Sequence, residues 1–169
     1  YGVRAERDIY VTLLNAAVKA NNKTVVEQAL DYFKRYSIPY DSISYLCLLQ
    51  WYSRTDQLAE VEKVWQLTKH YSQYLTCQIV TAMLSIIHKH KLGRAKLDEV
   101  LETMKRNNIA FDAIIYRELF YIYTDLDDMN SFTTLYKQYL SALSRGEVED
   151  HELIWPHIIN MYSLWRPRT

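Results

Sequence analysis

Tyr45-Leu46-Cys47-Leu48-Leu49-Gln50-Trp51-Tyr52 is the stretch on which the fold turns. Tyr45, Leu48, Leu49 and Tyr52 stand at i, i+3, i+4 and i+7, which lines one face of an α-helix. Thirty-five residues earlier the same spacing carries Tyr10, Leu13, Leu14 and Ala17. Thirty-five residues later it carries Val80, Met83, Leu84 and Ile87, and thirty-six beyond that Tyr116, Leu119, Phe120 and Tyr123. A second helical series follows the first. It reads Val26, Ala29, Leu30, Phe33; then Val61, Val64, Trp65, Thr68; then Leu97, Val100, Leu101, Met104; then Phe132, Leu135, Tyr136, Tyr139. Both series need one extra residue between Ile87 and Leu97, where Lys91-Leu92-Gly93-Arg94 reads as a turn.

A fixed period near thirty-five is the signature of stacked helical hairpins, none of which buries its apolar face alone. The expectation is an all-α chain, one α-solenoid domain over residues 1–169 with four to five helix-turn-helix repeats. The repeats run 7–41, 42–76, 77–112 and 113–147, and 148–169 forms a partial capping repeat. Turns inside the repeats fall at Asn21-Asn22-Lys23, Arg54-Thr55-Asp56, Lys91 to Arg94 and Asp125 to Asp128. Pro156 is expected to kink the last front helix or to move its start to about Trp155.

Composition narrows the class. Of 169 residues, 49% are hydrophobic and 14% aromatic, with 3 Gly and 3 Pro, which fits packed helices and excludes disordered and collagen-like chains. No apolar run spans a bilayer. No signal peptide is visible and the chain begins at Tyr1, so it reads as a processed protein or a fragment. Cys47 and Cys77 lack metal spacing and fit a reducing compartment. Net charge is zero but uneven. Residues 1–111 hold 15 Lys/Arg against 11 Asp/Glu, residues 112–152 hold 3 against 9, and Arg166 and Arg168 add positive charge at the end. A polyanion would therefore favour the first two-thirds of the chain.

Catalytic chemistry finds no foothold. His88 and His90 lie two apart and do not form an i, i+4 metal pair. The three glycines cannot build a phosphate-cradling loop, and no Gly-x-Ser-x-Gly elbow occurs. Asp125, Asp127 and Asp128 fit a solvated turn with a helix-capping Asp. The chain is expected not to be an enzyme and to need no cofactor, metal or small-molecule substrate. Most of the 15 tyrosines fall on core positions, whereas Tyr40, Tyr71 and Tyr74 fall between repeats and are open to a ligand. Trp51, Trp155 and Trp165 suit solenoid packing or partner contacts.

The repeats resemble those of the pentatricopeptide repeat family. The likeness is carried by Ser42-Ile-Ser-Tyr-Leu-Cys-Leu-Leu49 with Asp56-Gln-Leu-Ala-Glu-Val-Glu-Lys-Val-Trp65, by Leu97-Asp-Glu-Val-Leu-Glu-Thr-Met-Lys-Arg-Asn-Asn-Ile-Ala-Phe-Asp112, and by Ile38-Pro-Tyr-Asp41. It covers residues 7–147. The resemblance implies a right-handed superhelix that binds single-stranded RNA in its concave groove, in RNA processing, stability or translation in mitochondria or chloroplasts, with the mitochondrial matrix the compartment expected for this chain. This is the modular mode of reading single strands.

Carried over residue by residue, the resemblance gives Lys19, Arg54 and Lys89 the role of phosphate contacts at the ends of front helices, with Asp125 breaking the series. The dipole of a helix C-terminus favours cations there by itself. Ile43 and Ile114 would flank bases, whereas Asp8 and Gln78 depart from the apolar preference. The base-reading pairs are Val11 with Asp41, Leu46 with Thr76, Thr81 with Asp112, and Arg117 with Glu147. Only Thr81 with Asp112 fits the family's code, and it suggests a purine. Arg117 and Glu147 have opposite charges and are expected to pair with each other. The alternatives are a protein–protein scaffold, for example in a ribosome-associated assembly, and the binding module of a larger RNA-processing enzyme.

Overall fold

The computed structural model describes the backbone of residues 2–165 and the side chains of residues 7–165. Arg166 and Arg168 lie outside the described residues. Nine α-helices and no strand form among the described residues, 77% of which are helical. In order they are α1 (Gly2–Lys19), α2 (Lys23–Arg35), α3 (Ser42–Arg54), α4 (Leu58–His70), α5 (Cys77–His90), α6 (Arg94–Arg106), α7 (Ala113–Asp125), α8 (Met129–Ser144) and α9 (Ile154–Leu164), with a short 3-10 turn at Ser72–Tyr74. Pro156 is the third residue of α9, in the first turn, where its missing N–H breaks no helical bond.

The helix ends explain why the period is near thirty-five. After four front helices one non-glycine residue turns left-handed: Asn21 (φ 54°), Asp56 (φ 57°), Lys91 (φ 52°) and Asp127 (φ 52°). In each case the next residue donates its N–H back to the last member of the apolar quartet. Asn22 bonds to Ala17 at 3.0 Å, Gln57 to Tyr52 at 2.8 Å, Leu92 to Ile87 at 3.1 Å and Asp128 to Tyr123 at 3.0 Å. This is the Schellman closure, which satisfies carbonyls that the helix leaves without partners. Three back helices close likewise, through Ser37 (φ 49°), Asn108 (φ 54°) and Gly146 (φ 69°).

The extra residue of the third repeat sits between the left-handed Lys91 and the start of α6. There Gly93 adopts φ 90° and ψ 178° as the residue before Arg94. Such backbone is essentially confined to glycine. Elsewhere the next helix starts two residues after the left-handed one, at Lys23, Leu58 and Met129. Carboxylate and amide caps start several helices. Asn22, Asp41, Asp112 and Asp128 each accept a backbone N–H three residues on, from Val25, Ser44, Ile115 and Ser131.

Two compact bodies divide the chain, residues 1–82 and 83–169. In the first, α1 packs against α2 and α3, and α3 against α4 and the 3-10 turn. Leu14, Val18, Val26, Ala29 and Phe33 bury the α1–α2 seam, with Cys47 and Trp51 of α3 joining it. Desolvation raises the Cys47 thiol to about 11, so it behaves as a small apolar group. Leu13 is 37% exposed although its register mates Leu48, Met83 and Leu119 are buried. No described helix precedes α1 to cover it. In the second body α7 packs against α8 and α9. Phe120 lies 5.0 Å from Phe132 and 6.0 Å from Tyr139, ring centroid to centroid, and all three are buried.

Candidate functional site

Lys19 closes α1 and Arg54 closes α3, and both are exposed. Because α1 and α3 pack together, the Arg54 guanidinium reaches the end of α1 and donates from Nη1 to the Val18 carbonyl. Val18 adjoins Lys19, so the Arg54 guanidinium sits on the backbone next to Lys19, where α1 ends. The C-terminal carbonyls of α1 favour this arrangement electrostatically. Lys89 is exposed near the end of α5, in the second body. Asp125, at the corresponding end of α7, pairs with His88 Nε2 at 3.0 Å.

Ile43 and Ile114 stand on the first turns of α3 and α7, 52% and 42% exposed. Each follows a capping aspartate. Asp41 Oδ1 accepts from the Ser44 N–H and from its hydroxyl, both at 2.8 Å. Asp112 Oδ1 accepts from Ile115 N–H at 2.8 Å. These carboxylates therefore start helices. Their cap spacing, with the first helical turn following directly, is the signal that reads them as caps from sequence. Thr81 donates its hydroxyl to the Cys77 carbonyl at 2.9 Å, and Thr76 Oγ1 accepts from Ile79 N–H at 3.2 Å. Val11 is buried and Leu46 half-buried, whereas Asp8 and Gln78 are exposed.

The expected Arg117–Glu147 pair does not form. Arg117 lies 3.3 Å from Glu118, and Glu147 lies 3.1 Å from Arg145. Each charge is met by a residue one or two positions away in sequence, which costs little in side-chain ordering. Glu118 is itself buried, 7% exposed.

The tyrosines between repeats divide. Tyr40 is half-buried, its ring 4.9 Å from Phe33, and Tyr74 meets Tyr45 edge-on at 5.2 Å, so both belong to the packing of the first body. Tyr71 is exposed. Trp51 is buried; Trp155 donates to Asp150 at 2.6 Å and Trp165 to Asp127 at 2.8 Å.

Two features of the second body escaped the sequence reading. The larger is a groove of about 820 Å³ walled by Leu101, Met104 and Ile109, by Tyr116 and Leu119 of α7, and by Thr134, Leu135 and Gln138 of α8, with Lys105, Arg145 and Glu147 among its polar residues. The other is a chain of rings across α5, α7 and α9. His88 stacks on Tyr121 at 5.4 Å, and Tyr121 meets His157 edge-on at 4.6 Å. Thr124 gives its hydroxyl proton to the Phe120 carbonyl at 2.7 Å and lies 2.8 Å from His157 Nε2. Burial holds the His157 pKa below its ordinary value, against the opposing pull of the Phe120 carbonyl and Asp125. Both features depend on residues far apart in sequence.

Among the described residues no group of three or more His, Cys, Asp or Glu side chains is placed to hold a metal ion. None of the described helices is long and apolar enough to cross a membrane. No family model matches the chain, and no curated protein matches it.

Proposed function

We propose that this chain is a segment of a pentatricopeptide-type right-handed α-solenoid that binds single-stranded RNA and acts in RNA processing, stability or translation in the mitochondrial matrix. The observation that carries the reading is Arg54 anchored on the Val18 carbonyl at the end of α1, next to the exposed Lys19, with the exposed Ile43 on the first turn of α3. Successive cations at a repeat spacing suit a phosphate backbone, and an exposed aliphatic side chain suits the face of a base. Helix pairing within each body, and the thirty-five-residue recurrence of the Schellman turns, support the solenoid. Asp41, Asp112 and Thr81 engage local backbone partners, which favours binding along the RNA backbone over reading each base.

The test replaces Lys19, Arg54 and Lys89 together with Glu and measures RNA affinity against salt. On a single strand these three cations should contribute about −2 to the wild-type log–log slope of affinity against salt. The triple variant should lose binding while its far-ultraviolet circular dichroism stays helical. Unchanged affinity in that variant refutes the assignment. A protein scaffold is the second reading, favoured by the apolar-walled groove among α6, α7 and α8 and by the acidic segment 112–152. Copurification of a defined protein partner, with no RNA binding at low salt, would select it.

A further inference from the structure

The back helices of the first body end on a repeated triplet. Lys34-Arg35-Tyr36 closes α2, and Lys69-His70-Tyr71 closes α4 thirty-five residues later. Both tyrosines are the C-cap residue of their helix, and both are exposed, by 58% and 49%. The cations have a structural reason to be there, since a helix C-terminus attracts them. The C-cap position does not itself call for tyrosine, since Asn107 and Arg145 serve there for α6 and α8.

The rings are held in place. Tyr36 lies nearly parallel to Tyr32, at 6.1 Å and 10°, and Tyr32 stacks in turn on Tyr10 at 5.1 Å and 24°. Tyr71 is braced edge-on by His70 at 4.8 Å and by Tyr74 at 6.3 Å. A continuous path of ring contacts runs from Tyr10 through Phe33, Tyr40 and Tyr45 to Tyr74, so one aromatic seam connects the two exposed rings. An exposed aromatic already fixed by its neighbours loses little freedom when a flat ligand lands on it.

We propose that the ends of α2 and α4 form a second contact track for single-stranded RNA, in which bases stack on Tyr36 and Tyr71 while Lys34 and Lys69 face the phosphates and Arg35, paired with Asp31 at 3.1 Å, adds positive charge beside them. Alternation of cations with aromatic platforms is the chemistry that binds single strands without regard to sequence. The track lies outside the front-helix residues Lys19 and Arg54. It rests on the reading of this chain as an RNA binder.

The probes are a fluorescent oligoadenylate of about 20 nucleotides and inorganic polyphosphate, which has charge but no base. The variants are Y36A/Y71A, Y36F/Y71F and K19E/R54E. Losing the stack on two rings should cost Y36A/Y71A at least about thirtyfold in affinity for oligoadenylate. Y36F/Y71F should bind as the wild type does, and polyphosphate should not distinguish the tyrosine variants. Helical circular dichroism in every variant guards against unfolding. If Y36A/Y71A binds oligoadenylate normally while K19E/R54E fails, the track is refuted and the front-helix site stands. If Y36A/Y71A fails and K19E/R54E binds normally, the track stands and the front-helix site falls. A wild type that binds no oligoadenylate, or that captures only a protein, overturns both.

Discussion

Replacing Gly93 with Ala tests how the one irregular repeat is accommodated. Gly93 holds φ 90° and ψ 178°, a conformation that costs a side-chain-bearing residue about 1–3 kcal/mol. A Cβ built at this position meets nothing within 4 Å, so no steric penalty from neighbours adds to that cost. Alanine also restricts the unfolded chain, which returns about 0.4–1 kcal/mol. The net expectation is a loss of about 1–2 kcal/mol. For a chain of this size that lowers the melting temperature by about 2–8 °C. Gly146→Ala is the internal control. It too meets open space, but at φ 69° it occupies the ordinary left-handed region, where alanine costs about 1 kcal/mol before the same return. Urea unfolding followed by far-ultraviolet circular dichroism, with both variants side by side, reads the difference. If Gly93→Ala is neutral or stabilising, or milder than Gly146→Ala, the extra residue is not absorbed by the backbone of Gly93 and this account of the insertion fails.

Three further outcomes follow from particular contacts. Leu49 is fully buried, so Leu49→Ala should cost about 2–5 kcal/mol in urea unfolding, and a loss under about 1 kcal/mol would show that α3 is not packed as described. Arg54→Lys keeps the charge but removes the guanidinium fork that meets Val18; it should lower stability by about 0.5–1 kcal/mol at this exposed site, while RNA affinity stays near that of the wild type. Reduced RNA affinity with unchanged stability would mean that the fork serves the ligand instead. Burial depresses the His157 pKa, so the unfolded state takes up a proton near pH 6.5 before the folded state does; stability is full above that pH and falls as pH drops toward the folded value. His157→Asn should therefore lose less stability than the wild type between about pH 7.5 and 5.5, and equal losses would remove His157 as a source of acid sensitivity.

The helices were legible because helical periodicity is written in residues three and four apart, which stay neighbours whatever the rest of the chain does. The quartet ending in Tyr52 lies wholly within α3, and the quartet ending in Tyr123 wholly within α7. The same locality exposed the irregular step near Gly93. What the pattern could not display was how the period is enforced. The left-handed residues after the front helices are Asn21, Asp56, Lys91 and Asp127, and Lys91 has none of the local hydrogen-bonding habits that make Asn and Asp familiar there. Leu13 shows the opposite failure: its spacing is that of a core residue, yet burial depends on a neighbouring helix, which the spacing does not supply.

The candidate site was legible only in part, for a related reason. Lys19 and Arg54 were identified by register, but the bond from Arg54 to the Val18 carbonyl beside Lys19 depends on α1 lying against α3. Arg117 was matched with Glu147 by charge, and the tertiary structure gave it Glu118. Tyr40 was read as open because it lies between repeats, and packing placed it on Phe33. The groove among α6, α7 and α8, and the His88–Tyr121–His157 chain, join residues separated by some thirty positions, so no window of sequence holds them. By itself the sequence determined an all-helical chain, the positions of its helices and the place of one inserted residue, because those follow from backbone hydrogen bonding and nearest-turn contacts. The tertiary structure alone decided which charges meet, which rings are covered and where the surface opens, because those depend on distances between helices that the chain connects only through turns.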